Sequence, residues 1–151
     1  MIDLDDIDRD ILRAMQKDAT QSASQLGRRF GMSQPAMWRR IKRLQDAGVI
    51  AGRRVVLDKE KLGFGVTVFL GVKLAAKGRV SLEDFERAVS AIREVQTVEH
   101  VLGLYDYRLR VVATDIADFE RVLRRRIMTL PGVGNVEANV LLTEERLPGP
   151  L

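Results

Sequence analysis

The chain has 151 residues and no cysteine, is 46% hydrophobic and 30% charged, and carries a formal net charge of +4. These totals bound it to one or two small domains with enough apolar residues for a core, and they exclude disulfides and thiolate metal sites. No apolar run approaches the ~20 residues that span a bilayer, and the start, MIDLDDIDRD, lacks the basic and apolar regions of a signal peptide. The expectation is a cytoplasmic protein with no membrane partner.

Asp3, Asp5, Asp6, Asp8 and Asp10 crowd the start of a first helix marked by Ile7, Ile11, Leu12 and Met15. Read as a calcium loop from Asp3, the sixth and twelfth positions are Asp8 and Ala14, where glycine and glutamate are needed. The carboxylates are therefore read as offsetting the helix dipole. Ser22 and Gln25 form a capping box that opens a second helix, with Leu26 and Phe30 as its apolar edge and Gly31 as the turn. Ser33 caps a third helix and Pro35 falls in its first turn. Met37, Ile41 and Leu44 form its apolar stripe and Gly48 ends it. Gln34, Trp38, Arg39, Lys42 and Arg43 lie wholly or partly off that stripe.

Three short helices, the last one basic, form the helix-turn-helix pattern. Residues 28–54 hold eight arginines and lysines against Asp46 alone, a net charge of +7. Residues 64–151 are neutral, so the whole excess positive charge lies in the N-terminal part. Phosphate neutralisation is the use this suggests, against the blander reading of a solvated basic face. On the DNA reading, Gln34 and Trp38 approach base edges and Arg39 reaches bases or backbone. Ser33 stands at the helix start, and Arg40, Lys42, Arg43 and Arg53 hold phosphates.

Val49–Ile50 and Val55–Val56–Leu57 read as short strands, a small wing or a connecting ribbon, and 58–65 as a linker. From residue 66 the period changes to two. Val66, Val68, Leu70, Val72 and Leu74 alternate with Thr67, Phe69, Gly71 and Lys73. Ser81 caps a helix with Leu82, Phe85, Val89, Ile92 and Val95 inward, and a second strand follows over 98–103. Tyr107, Leu109, Val111 and Ala113 mark a third strand. Asp115 caps a helix with Phe119, Val122, Leu123 and Ile127 inward, stopped by Pro131–Gly132. Arg124, Arg125 and Arg126 suit the C-terminal end of its dipole. Val136, Ala138, Val140 and Leu142 mark the last strand, and His100, the single histidine, packs in or beside the sheet.

The order βαββαβ is the ferredoxin-like arrangement. Asp84–Phe85–Glu86–Arg87 recurs as Asp118–Phe119–Glu120–Arg121, which fits two copies of a β-α-β half. The expected fold is α+β: a three-helix, winged-helix-like helix-turn-helix domain over 1–57, a linker over 58–65, a ferredoxin-like domain over 66–145 and a tail over 146–151. Phe69, Val101, Val112 and Leu141 point away from the helices, which suggests burial against a second copy. A two-fold homodimer would also present two reading helices to a near-palindromic site.

This layout resembles the leucine-responsive regulator/AsnC (feast/famine) family of transcription regulators. The matching residues are Leu4–Asp5 with Asp8 and Ile11–Leu12, then Gly31–Met32–Ser33. Next come Arg40–Ile41–Lys42–Arg43–Leu44 and Gly48–Val49–Ile50. Gly103 with Tyr105–Asp106–Tyr107, and Leu130–Pro131–Gly132–Val133, complete the set. The resemblance implies a regulator that binds double-stranded DNA, assembles as dimers or octamers, needs no cofactor and takes a small-molecule effector, commonly an amino acid, where dimers meet. It places part of the effector site at Leu102, Gly103, Leu104, Tyr105 and Asp106. Two positions depart from the family pattern: Leu104 stands where Asp is common, and Val136–Glu137–Ala138 where a Thr-x-Thr pair is common. An amino-acid ligand needs partners for its ammonium and carboxylate, so these changes weaken that expectation.

The layout also resembles siroheme decarboxylases. That enzyme reading would draw on His100, which has no second histidine and no cysteine beside it. A third reading is an effector-binding module that does not touch DNA.

Overall fold

The computed structural model describes residues 3–75 and 82–145. Ser81 as a helix cap and the tail over 146–151 lie outside the described residues. Chain contacts divide the protein into two units, one running up to Val56 and the other spanning Leu57–Glu144.

The first unit holds α1 (Asp6–Lys17), α2 (Ala23–Arg29) and α3 (Gln34–Asp46). Asp5 caps α1 in a reciprocal box. Its carboxylate accepts from the Asp8 N–H at 2.7 Å, and the Asp8 carboxylate accepts from the Asp5 N–H at 3.3 Å. Ser22 and Gln25 form the expected box on α2, and Ser33 accepts from the Ala36 N–H at the start of α3. Gly31 and Gly48 take φ of 66° and 73°, left-handed values that glycine adopts without a Cβ clash. Ile11, Ala14, Met15, Leu26, Met37 and Ile41 close one core. Each large apolar side chain fully buried there contributes about 1.5–3 kcal/mol.

The expected wing is not formed. Residues 51–58 take no strand, and Val55, Val56 and Leu57 are exposed. The β-branched run has no partner strand within its unit, and an unpaired or lone two-stranded ribbon is marginal in water.

The second unit contains β1 (Val66–Leu74), α4 (Leu82–Ser90), β2 (Val95–His100), β3 (Tyr107–Ala113), α5 (Ile116–Val122) and β4 (Val133–Val140). The strands form one antiparallel sheet in the order β2-β3-β1-β4. Alternate residues of β1 (Val68, Leu70, Val72 and Leu74) meet Leu109 and Val111 of β3 and Phe85, Val89 and Phe119 of the helices in one core.

Several boundaries differ from the expectation. β2 begins at Val95, which pairs with Val111 rather than extending the stripe of α4. Leu82, expected inward, is exposed at the start of α4. α5 passes into a π-helical turn, Leu123–Ile127, closed by the Met128 N–H on the Leu123 carbonyl at 2.9 Å. That turn carries the three arginines, of which Arg124 pairs with Glu120 and Arg126 with Glu94, each at 2.8 Å. On β4, Ala138 and Val140 are exposed, and Leu142 lies beyond the strand in solvent. β4 is an edge strand, and α4 and α5 pack chiefly against β2 and β3, leaving its far half open.

On the sheet face away from the helices, Arg110 lies over the Phe69 ring at 5.4 Å and forms two hydrogen bonds to Glu144, at 2.9 and 3.0 Å. Val112 is buried, and Phe69, Val101 and Leu141 are half-buried. The chain itself thus covers part of the face that the pattern left bare. Among the described residues no helix is long and apolar enough to cross a membrane, and no cluster of ligating side chains could hold a metal ion.

Candidate nucleic-acid interface and effector loop

α3 turns its apolar stripe inward and its polar residues outward. Met37, Ile41 and Leu44 are buried, while Gln34, Arg39 and Lys42 are exposed and Trp38 shows 54% of its surface. A large indole in water on a polar helix face contributes little to folding. Arg39 has no ion pair among the described residues, and Lys42 pairs only with Asp46, one turn along at 3.0 Å. Ser33 is engaged as the helix cap. Arg53 lies after α3, beside an apolar hollow of about 260 Å³ lined by Leu12, Met15 and Ile50.

Arg40 and Arg43, two of the residues expected to hold phosphates, are engaged within the unit itself. One turn apart on α3, they reach back to the first turn of α1. The Arg40 guanidinium donates to Asp5 at 2.7 Å and to Asp8 at 2.8 Å, and Arg43 donates to the other oxygen of Asp8. Asp8 is fully buried. A buried carboxylate is tolerated only when paired and hydrogen-bonded, so these arginines first serve the packing of α1 on α3. The Asp8 N–H, then the Arg40 guanidinium, hold the Asp5 carboxyl below its ordinary value; the Asp5 and Asp8 carboxylates in turn raise Arg40. Sequence reasoning missed the burial of Asp8. Its one local signal was the D-x-x-D spacing of a capping box.

The loop between β2 and β3 is closed by the Val101 N–H on the Asp106 carbonyl at 3.0 Å. Asp106 is a tether: its carboxylate accepts from the Leu74 N–H at 2.9 Å and from Lys73 at 3.2 Å. Tyr105 packs on Gly71 and donates to Glu137 of β4. That bond raises the Tyr105 hydroxyl, and with the Asn139 amide it lowers Glu137. Leu102 and Leu104 stand in solvent, and nothing lies within 4 Å of where a Cβ on Gly103 would stand. The five expected loop residues thus divide into an exposed apolar tip and an anchored polar base. Lys73 and Glu137, distant in sequence, join that base. His100 is exposed, with its ring stacked on Tyr107 at 4.8 Å.

Comparison with known proteins gives two family matches: residues 67–147 match the Lrp/AsnC ligand binding domain, and residues 4–51 match a winged helix-turn-helix DNA-binding domain. The chain is 39% identical to the proline dehydrogenase transcriptional activator of Rhizobium radiobacter, over 97% of this chain and 94% of the other. It is 32% identical to the leucine-responsive regulatory protein of Escherichia coli, over 94% and 87%. Among solved structures, a Neisseria meningitidis transcriptional regulator in complex with L-methionine matches with a TM-score of 0.90 at 27% identity, covering 99% of this chain and 96% of that one.

Proposed function

The chain belongs to the Lrp/AsnC family of DNA-binding transcription regulators, and we propose that it reads a near-palindromic duplex through the outer face of α3 as a homodimer. Gln34 and Trp38 approach base edges, Arg39 reaches bases or backbone, and Ser33, Lys42 and Arg53 serve the phosphates. The observation that carries this reading is the exposed Trp38 and Arg39 on a helix whose opposite stripe is wholly buried. Paired helices favour half-sites about one helical turn apart or a multiple of that spacing. Selection from a random-sequence duplex library tests it. Enrichment of a two-fold-symmetric site supports the reading, and a library that stays random contradicts it.

The effector reading rests on the loop. Exposed Leu102 and Leu104 make an apolar tip that gains most from burial against another copy. Tyr105, Asp106, Lys73 and Glu137 supply polar groups beside it. We propose that dimers meet there, in assemblies up to an octamer, around an amino acid or related metabolite. The methionine complex of the Neisseria regulator supports that ligand class. The tetrapyrrole-enzyme reading draws no support from His100, whose ring is engaged with Tyr107.

A further inference from the structure

We propose that Asp8 is a specificity-setting residue: it withholds Arg40 and Arg43 from the DNA backbone while orienting α3 for base reading. This rests on the DNA reading of α3 given above.

The Asp8 carboxylate is fully buried and fully used. One oxygen accepts from Arg40 at 2.8 Å; the other accepts from Arg43 and from the Asp5 N–H, the latter at 3.3 Å. A guanidinium that left it for a phosphate would leave a fully buried carboxylate with one cation in place of two, giving up a hydrogen bond in low dielectric for an exposed ion pair that returns little. Arg40 is 26% exposed and tied to two carboxylates; Arg43 is 46% exposed and tied to one. The basic helix is therefore less basic toward DNA than its composition implies.

The consequence is a matter of which affinity is lowered. Phosphate contacts strengthen binding to every sequence alike, whereas base contacts discriminate. Retiring two cations from the backbone lowers non-specific binding and leaves Gln34, Trp38 and Arg39 untouched. The same two links fix the roll of α3 on α1, because Arg40 and Arg43 lie one turn apart on one side of the helix. Asp8 thus trades general affinity for discrimination.

The test uses the full chain, with fluorescence anisotropy on a selected duplex and a scrambled one at several salt concentrations. In Asp8→Asn one oxygen remains to accept and the other position becomes an NH2 donor, so at least one arginine is released. The salt slope steepens by about 0.9 per released cation, scrambled-duplex affinity rises several-fold, and the preference for the selected site shrinks. An unchanged or flatter slope in the folded variant overturns the proposal. Arg43→Gln, with Arg40 still closing Asp8, decides the matter independently of how Asp8→Asn folds. A slope equal to that of the unaltered protein supports the proposal. A slope lower by about 0.9, the loss of one phosphate contact, overturns it. Failure of the unaltered protein to bind any duplex at low salt overturns the DNA reading and this inference together. A steep native slope that drops with Arg43→Gln overturns this inference alone.

Discussion

The Tyr105 ring occupies the space in which a side chain at residue 71 would stand: a Cβ on Gly71 would fall 2.5 Å from the ring. Residue 71 pairs with Glu137 on β4, the group to which the Tyr105 hydroxyl donates. The glycine in the middle of β1 is thus the seat of the β2–β3 loop. Gly71→Ala should displace the ring, break the Tyr105–Glu137 bond and destabilise the second unit by about 1–3 kcal/mol, the usual cost of overpacking. Denaturant unfolding followed by tyrosine fluorescence checks this. An alanine variant as stable as the native protein would mean that the ring is not held there.

Tyr107 should titrate last among the protein's phenols. Its residue is buried, its ring lies 4.7 Å from Phe85, and its hydroxyl donates to Glu86 at 2.8 Å. Burial first, and the Glu86 carboxylate second, push its pKa up to about 12 from the ordinary 10.0. A raised folded-state value means stability fully present below pH 10 and lost as the pH rises through about 12. The linkage amounts to about 2–3 kcal/mol at full loss. Phenolate absorbance of the native protein should show this late step, and Tyr107→Phe should remove it. A trace in which Tyr107→Phe removes an early step near 10 and leaves the late one would contradict the burial.

Trp38 is the chain's single tryptophan and therefore a clean reporter. Free protein should emit as a solvated indole, and added duplex should quench or blue-shift it. Trp38→Ala should leave folding stability within about 0.5 kcal/mol and cut sequence preference by about 1–3 kcal/mol. Unchanged emission while anisotropy rises would move the interface off this face.

Leu102→Asp with Leu104→Asp should leave each protomer folded, since both side chains already stand in solvent. Sedimentation should show assemblies larger than the dimer falling apart, while the dimer still binds DNA. Full-sized assemblies in the double variant would place the dimer–dimer contact elsewhere.

Elements whose cause is local were legible from residues alone. The Ser22–Gln25 box, the Ser33 cap and the alternation of β1 each rest on spacings of two to four residues, and the structure has all three. What was not legible depends on distant partners. Five aspartates near the N-terminus look alike until Arg40, 32 residues from Asp8, shows which one is buried. Val95 suits the end of a helical stripe as well as the start of a strand, and only its pairing with Val111 decides. Ala138, Val140 and Leu142 alternate as a buried strand would, yet an edge position leaves them exposed. In the β2–β3 loop the turn was readable around Gly103, but the division into an exposed tip and a tethered base needed Gly71, Lys73 and Glu137.

The central claim is that α3 reads DNA sequence. The most direct measurement is anisotropy of the unaltered protein on the duplex enriched from the random-sequence library, and on a scrambled duplex of the same composition, across a salt series. The account predicts tight, steeply salt-dependent binding with a clear preference for the selected duplex, which Trp38→Ala and Gln34→Ala reduce. A chain that binds neither duplex at low salt would contradict it.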